Sequence, residues 1–272
     1  QGFNDTINIS LLCLSVSDLG SLLLLIVQGI FLSPLFVDSD IPIAGEEVHF
    51  LFGAIPHGMC VRYAWWITTF ITFERCLCIA MPLRIRRIVT PATTVAVMAL
   101  IVLVNSAGMS LLFASYTLDR RFSEARNGTL LGLGYPSYCA VLIYVNSQFN
   151  TVTQFLAFFI NIICAAVISA MLKKKSRWRL KTSNVPRAGS GGELSTRDKK
   201  LVKMVALISF IFIICLMPSC FNFMMEFFYG HVYSFSGPER NLYYIVWSWM
   251  LTLEAFNSSV NIFVYYSMSS KF

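Results

Sequence analysis

Phe73-Glu74-Arg75-Cys76-Leu77, running on through Cys78-Ile79-Ala80-Met81-Pro82-Leu83, sets an acid and an arginine at the end of a long apolar run. Bringing such a pair into or near lipid costs free energy, so the pair implies a switch. The run leading into it spans about residues 51–80. Working outward, five more windows of the roughly 20 apolar residues needed to cross hydrocarbon can be read at about 7–32, 92–115, 151–172, 201–229 and 242–266. The 272 residues are 56% hydrophobic and 13% charged, with a mean hydropathy of +0.66; soluble domains carry about a quarter charged residues. These values exclude an ordinary soluble domain and predict an all-α membrane helix bundle.

The net charge of +7 would suit nucleic acid, but its placement does not. Arg75, Arg84, Arg86 and Arg87, eleven Lys or Arg between Lys173 and Lys203, and Lys271 make sixteen of the 21 basic residues, all on one side of the six windows. The other side holds Asp38, Asp40, Glu46, Glu47, Asp119, Glu124 and Glu239. The positive-inside rule therefore makes 81–91 and 173–200 cytoplasmic. The Lys173-Lys174-Lys175 run also reads as a simple anchor at the lipid headgroups. Segments 33–50 and 116–150 become outer loops, the second a long one, and 173–200, with Pro186 and Gly189-Ser190-Gly191-Gly192, a flexible basic inner loop. Asn127-Gly128-Thr129 is a glycosylation sequon on the outer side, in agreement with the charge reading. Asn4 and Asn8 head similar triplets at the inner start of the first window, where no glycan is expected. The chain opens almost directly on a helix and without Met, so it reads as a fragment forming one bundle domain over 1–272.

Four motifs in order then carry a family resemblance: Leu14-Ser15-Val16-Ser17-Asp18, Glu74-Arg75-Cys76 with Pro82-Leu83, Cys215-Leu216-Met217-Pro218, and Asn261-Ile262-Phe263-Val264-Tyr265. The set resembles the rhodopsin-like (class A) G-protein-coupled receptors from their second helix to their seventh, with the first missing. The wording around Glu74 is similar to divergent invertebrate receptors, notably the chemosensory receptors of gastropod molluscs. Leu216 stands in place of a family Trp and Ile262 in place of a proline; the fourth helix has no Trp and the fifth no Pro. Glu74, Arg75, Pro218, Asn261 and Tyr265 would form the switch. The resemblance further implies that Asp18, Asn257, Ser258 and Asn261 hold water and a sodium ion, although Ala64 lacks the hydroxyl that often completes such a site. No other cofactor is expected.

Each intramembrane charge needs a reason. Asp18 lies mid-helix and requires partners. Arg62, thirteen residues before Arg75, lies roughly 20 Å up the same helix, so it belongs to the core; its counter-charge is Asp18 or Glu254, unless it binds a charged ligand. His57 stands where amine receptors of the family carry an Asp, which disfavours an amine ligand. Ala255 stands where opsins carry their Lys, which disfavours a photoreceptor. The pocket candidates are His57, Arg62, Trp65, Trp66, Phe221, Met225, Glu226 and Glu254. Of eight cysteines only Cys139 falls in an outer loop; the family's usual partner position is Phe50 here, so Cys139 pairs with an earlier segment or stays free.

The first functional reading is a receptor that binds an extracellular chemosensory small molecule or peptide and engages a heterotrimeric G protein from the plasma membrane. The second is a transporter or ion channel using Asp18, Arg62 and Glu254, without the internal repeat such proteins often show. An enzyme comes third, since no His-Glu-x-x-His or Gly-x-Ser-x-Gly motif occurs.

Overall fold

The computed structural model describes residues 5–81, 85, 88–124, 127–182, 196–229, 232 and 237–268, with side chains described except at 172–182, 196–205, 264–265 and 267–268. The first helix, α1 (Thr6–Leu32), shows the logic of the bundle. Leu12, Val16, Leu19, Leu23, Ile26 and Ile30 recur at helical spacing and are exposed, whereas Ser10, Ser17, Asp18, Ser21 and Gln28 are buried. A water-soluble helix has the reverse polarity. Apolar outside and polar inside is the arrangement of a chain solvated by lipid.

Two short helices, α2 (Pro34–Val37) and α3 (Gly45–His49), follow. The chain then passes without a break through a π-helical turn, Phe50–Ala54, into α4 (Ile55–Ala80). Pro56 explains the widened turn. It has no N–H to give and its ring crowds the preceding turn, and the Ile55 amide reaches back five residues to the Phe50 carbonyl. The helix α5 (Pro91–Ser115) starts on a capping box in which Thr90 and Thr93 exchange bonds, with Pro91 at its first position. Then come α6 (Cys139–Thr182), α7 (Thr196–Tyr229) and α8 (Arg240–Met268). α4 is central, packing on α1, α5, α6 and α7, while α8 lies against α1 and α7.

Thr6–Leu32, Pro91–Ser115, Cys139–Met171 and Ala206–Tyr229 are long and apolar enough to cross a membrane by length and composition. α4 and α8 are as long but more polar, carrying Arg62, Glu74 and Arg75 in one and Glu254, Asn257 and Asn261 in the other. The expected windows hold at five helices to within a few residues. On the inner side helix enters 173–200, expected as a flexible loop, since α6 runs on to Thr182 and α7 begins at Thr196; the other exception is the outer segment 116–150, also expected as a loop. It contains β1 (Thr117–Ser123) and β2 (Gly128–Gly134), an antiparallel hairpin in register Thr117↔Gly134, and α6 begins at Cys139 rather than 151. The early turns of α6 carry Asn146, Gln148 and Asn150, which lower hydropathy. Asn146 and Asn150 are buried, facing inward, while Val141, Tyr144 and Val145 face out.

The hairpin is a cap rather than a loop. Leu131 pairs with the segment before α3: its N–H donates to the Pro42 carbonyl at 2.9 Å, and Ala44 N–H donates to its carbonyl at 2.8 Å. Leu133 N–H donates to Glu47 Oε2 at 2.7 Å, and the Arg121 guanidinium donates to the Leu133 carbonyl. Gly132 makes this possible, since a Cβ there would stand 2.6 Å from Glu47 Oε2. Phe50 meets Tyr116 edge to face at 5.3 Å, Tyr116 meets Tyr135 at 5.7 Å, and Arg121 lies over Tyr135. Burial pushes the Tyr116 phenol well above its ordinary titration range. Cys139, the first residue of α6, is buried, and none of the eight cysteines is in a disulfide. At the tip of the hairpin Asn127 takes φ 45°, a left-handed conformation that Asn tolerates, and is exposed.

Candidate functional site

Three polar groups run through the bundle, all on helices whose outer faces are apolar. The first is the pair from which the fold was read. Arg75 Nη2 donates to Glu74 Oε1 at 2.8 Å, with side chains 13% and 3% exposed. Thr6 Oγ1, at the start of α1, donates to the same oxygen at 2.6 Å. Glu74 Oε2 and Arg75 Nε are buried without a partner. One turn earlier Thr72 and Ser209 share a hydrogen bond of 2.6 Å from α4 to α7. The Tyr265 side chain, and the basic residues of 173–200, lie outside the described side chains. Pro218 stands inside α7, where it removes one rung of the helix ladder and permits a bend.

The second group is continuous across three helices. Asn261 Nδ2 donates to Asp18 Oδ2 at 2.8 Å. Ser258, also beside Asp18, shares a hydrogen bond of 3.1 Å with Ser21. The Ser21 carbonyl accepts from His57 Nδ1 at 2.9 Å, and His57 Nε2 lies 3.3 Å from Glu254 Oε2. Both ring nitrogens thus face oxygen acceptors. Asn257 and Ser258, with Trp65, Leu216 and Glu254, line a small cavity, about 10 Å³ of it open to the centre of a water molecule, the room of about one water. Asp18 Oδ1 and Asn261 Oδ1 are buried and unpartnered. Together with the Ser258 hydroxyl they are oxygen donors of the kind a hard cation takes.

The third group surrounds Arg62, which is 4% exposed. The sequence offered Asp18 or Glu254 as its counter-charge; among the described residues no carboxylate lies within 4 Å of it, and Glu254 is the one whose charge acts on it from farther away. Asp18 is engaged by Asn261 and Glu254 faces His57. Instead Arg62 Nη1 donates to Thr153 Oγ1 of α6 at 3.2 Å, and its guanidinium lies 5.7 Å from the Trp65 ring centre. Near Thr153, α6 turns a row of amides inward. Asn146, Asn150 and Gln154 are buried, and each has a carbonyl oxygen without a partner. Sequence reasoning missed these three. Their spacing of four and four was the available signal, hidden because two of them fell in the supposed loop.

The remaining pocket candidates divide. Trp65 is buried in a cluster with Val61, Phe212, Leu216 and Cys220, so an aromatic ring from α4 fills space beside Leu216. Trp66 and Met225 are half-buried. Glu226 accepts from Asn222 Nδ2 at 3.1 Å and is faced by Tyr243 and Trp247 of α8. Phe221 is a correction: it is 55% exposed, one of the stripe Phe210, Ile214, Met217, Phe221, Met224 and Phe228. Its helical spacing puts it on the lipid face while its neighbours Cys220 and Asn222 turn inward.

A comparison with curated proteins finds no match. A family model described as 7 transmembrane receptor (rhodopsin family) matches residues 2–265. The match takes in nearly the whole chain, from α1 to the end of the Asn261 motif, and its family is one of receptors rather than enzymes. The chain with its buried acid–arginine pair, its Asp18–Asn261 link and its apolar outer faces belongs to the rhodopsin family of seven-transmembrane receptors.

Proposed function

We propose that the chain is a plasma-membrane receptor for an extracellular chemosensory molecule, of the divergent invertebrate type that its Glu74 motif resembles, and that it activates a heterotrimeric G protein. The observation carrying the ligand reading is Arg62: a buried guanidinium whose described polar partner is one threonine hydroxyl, beside inward amides with free carbonyl oxygens. A ligand bearing an acidic group and hydrogen-bond donors satisfies both. A peptide would present the same chemistry through its acidic terminus or side chain. Charge placement supports a cytoplasmic side at 81–91 and 173–200, and an outer side at the hairpin with a glycan on Asn127.

Ligand entry between α4, α6 and α7 shifts the bundle toward a state in which the inner ends of these helices separate. The Thr72–Ser209 bond spans that opening, and Arg75 is released from Glu74 toward the partner protein. A sodium ion, where one binds, is held by Asp18, Ser258 and Asn261 and favours the closed bundle. The full-length receptor, screened with small carboxylic acids in a nucleotide-exchange assay across a G-protein panel, should respond to a subset. Arg62→Met should then lose at least about 100-fold in potency while reaching the surface normally. An unchanged dose response in that variant removes the acidic-ligand reading, and no exchange with any G protein removes the coupling.

A further inference from the structure

Cys76 directly follows the arginine of the switch on α4, and Cys164 lies on α6, the helix packed against it. Both are unbonded and buried, 8% and 5% exposed. They share one apolar cluster with Ile79 and Ile168, bordered by Ile160, Val167 and Met171. Their side chains meet in this cluster, one from each helix. A single buried cysteine is ordinarily a small hydrophobe. Two in one packed cluster, one from each of two adjoining helices, meet the first condition of a disulfide, proximity; the Cα and Cβ spacing is the second. Other cysteines are engaged differently: Cys220, for example, accepts from Gln154 Nε2 at 3.7 Å.

We propose that Cys76 and Cys164 are an oxidisable thiol pair that a hydroperoxide converts to a disulfide between α4 and α6. Two S–H bonds and the peroxide O–O bond break, and one S–S bond forms. The two electrons reduce the peroxide, and the two protons leave with its oxygens, as two waters when the oxidant is hydrogen peroxide. The surrounding Ile, Val and Met side chains admit a small uncharged peroxide and hold off charged reductants. An apolar setting disfavours the reacting thiolate, so the step takes sustained exposure and is undone by a membrane-permeant dithiol. The bond ties α4 to α6 beside Glu74 and Arg75. This inference rests on the helix contact alone and is independent of the ligand and of the partner protein.

The test uses the full chain in detergent, treated with hydrogen peroxide, blocked with N-ethylmaleimide after denaturation, and digested without reductant. Because a tryptic fragment beginning after Arg75 carries both Cys76 and Cys78, Cys78→Ser is included. The expected result is a linked peptide joining Cys76 to Cys164 in the wild type and in Cys78→Ser. It should be absent in Cys164→Ala and in Cys76→Ala, either of which suffices if the other folds poorly. Thermal unfolding should rise by roughly 5–10 °C on oxidation, fall back with dithiothreitol, and stay unmoved in Cys164→Ala. Oxidation that leaves Cys76 and Cys164 as separate thiols or single oxidised acids overturns the proposal. So does a thermal shift that persists in Cys164→Ala.

Discussion

The two ends of the bundle are held by different chemistry. At the hairpin end the contacts are largely backbone: seven rungs of β1 on β2, two bonds from Leu131 to the segment before α3, and the Leu133 amide on Glu47. At the arginine end they are side chains on single helical turns: Thr6 on Glu74, Glu74 on Arg75, Thr72 on Ser209. Backbone pairing survives most substitutions because every residue type but proline supplies it. A side-chain pair with Glu74 Oε2 and Arg75 Nε left buried and unpartnered is nearer to the cost of opening, because each unsatisfied group stores about 1–3 kcal/mol. The hairpin end is thus fixed by backbone pairing, and the arginine end, which the proposed function makes the switch, is held by a few side chains.

The most disruptive way to probe that contrast is Glu74→Ala. It leaves a guanidinium that is only 13% exposed without its carboxylate, a loss of about 3 kcal/mol by analogy with broken buried pairs. Thermal unfolding of the purified receptor should drop by roughly 5–10 °C, and ligand-independent nucleotide exchange should rise severalfold. Glu74→Gln can still accept from Thr6 and should fall between the variant and the wild type. If Glu74→Ala unfolds normally and shows no basal exchange, the arginine end is no switch.

Next in size is the hairpin end. Glu47→Ala strands the Leu133 N–H, at a cost of about 1–3 kcal/mol, read as faster hydrogen exchange across 128–134. Gly132→Ala should act in the same direction although alanine usually suits a strand better than glycine, because its Cβ would meet Glu47 Oε2 at 2.6 Å. The two share one contact, so the double variant should cost clearly less than the sum of the singles. Additive losses would separate the glycine from the carboxylate.

This hairpin end is also where the sequence was least legible. Transmembrane windows are read from a sum of apolar residues, and α1 and α5 satisfy that sum wherever the window is set. The Asn146, Asn150 and Gln154 row breaks it, because amides that face a bundle interior weigh against hydropathy as heavily as amides in water. The pairing of Leu131 with Pro42 and Ala44 is a contact between segments almost ninety residues apart, and no local pattern announces it. Asp18 with Asn261, by contrast, was expected: a buried carboxylate needs partners, the family resemblance put Asn261 among them, and the two meet at 2.8 Å. Arg62 shows the limit of the same reasoning. The charge demanded a partner, and Glu254 acts on it only from a distance, while only the packing of α6 could reveal Thr153 as its hydrogen-bond partner.

A smaller effect sharpens the contrast at the arginine end. Ser209→Ala removes the bond from α4 to α7 but leaves Thr72 Oγ1 donating to the Thr68 carbonyl at 2.8 Å, so no hydroxyl is orphaned. The expected loss is about 1 kcal/mol, a shift of a few degrees, with a modest rise in basal exchange. A stability loss without that rise would place the bond in the packing of the helices and outside the opening motion.

The smallest expected effect bears most directly on how the cap is built. In a receptor whose hairpin is tied by a disulfide, reduction removes about 2–5 kcal/mol. Here Phe50 occupies the position of one such cysteine and packs on Tyr116, while Cys139 is buried and unbonded at the start of α6. Dithiothreitol should therefore leave thermal unfolding of unoxidised receptor unchanged, and Cys139→Ser should cost no more than about 1 kcal/mol, the exchange of a buried thiol for a hydroxyl. A drop of several degrees on reduction, shared by Cys139→Ser, would mean that Cys139 is bonded in the cell to an earlier segment. The hairpin end would then owe its rigidity to a covalent tie, and the backbone pairing around Leu131 and Leu133 would be its consequence.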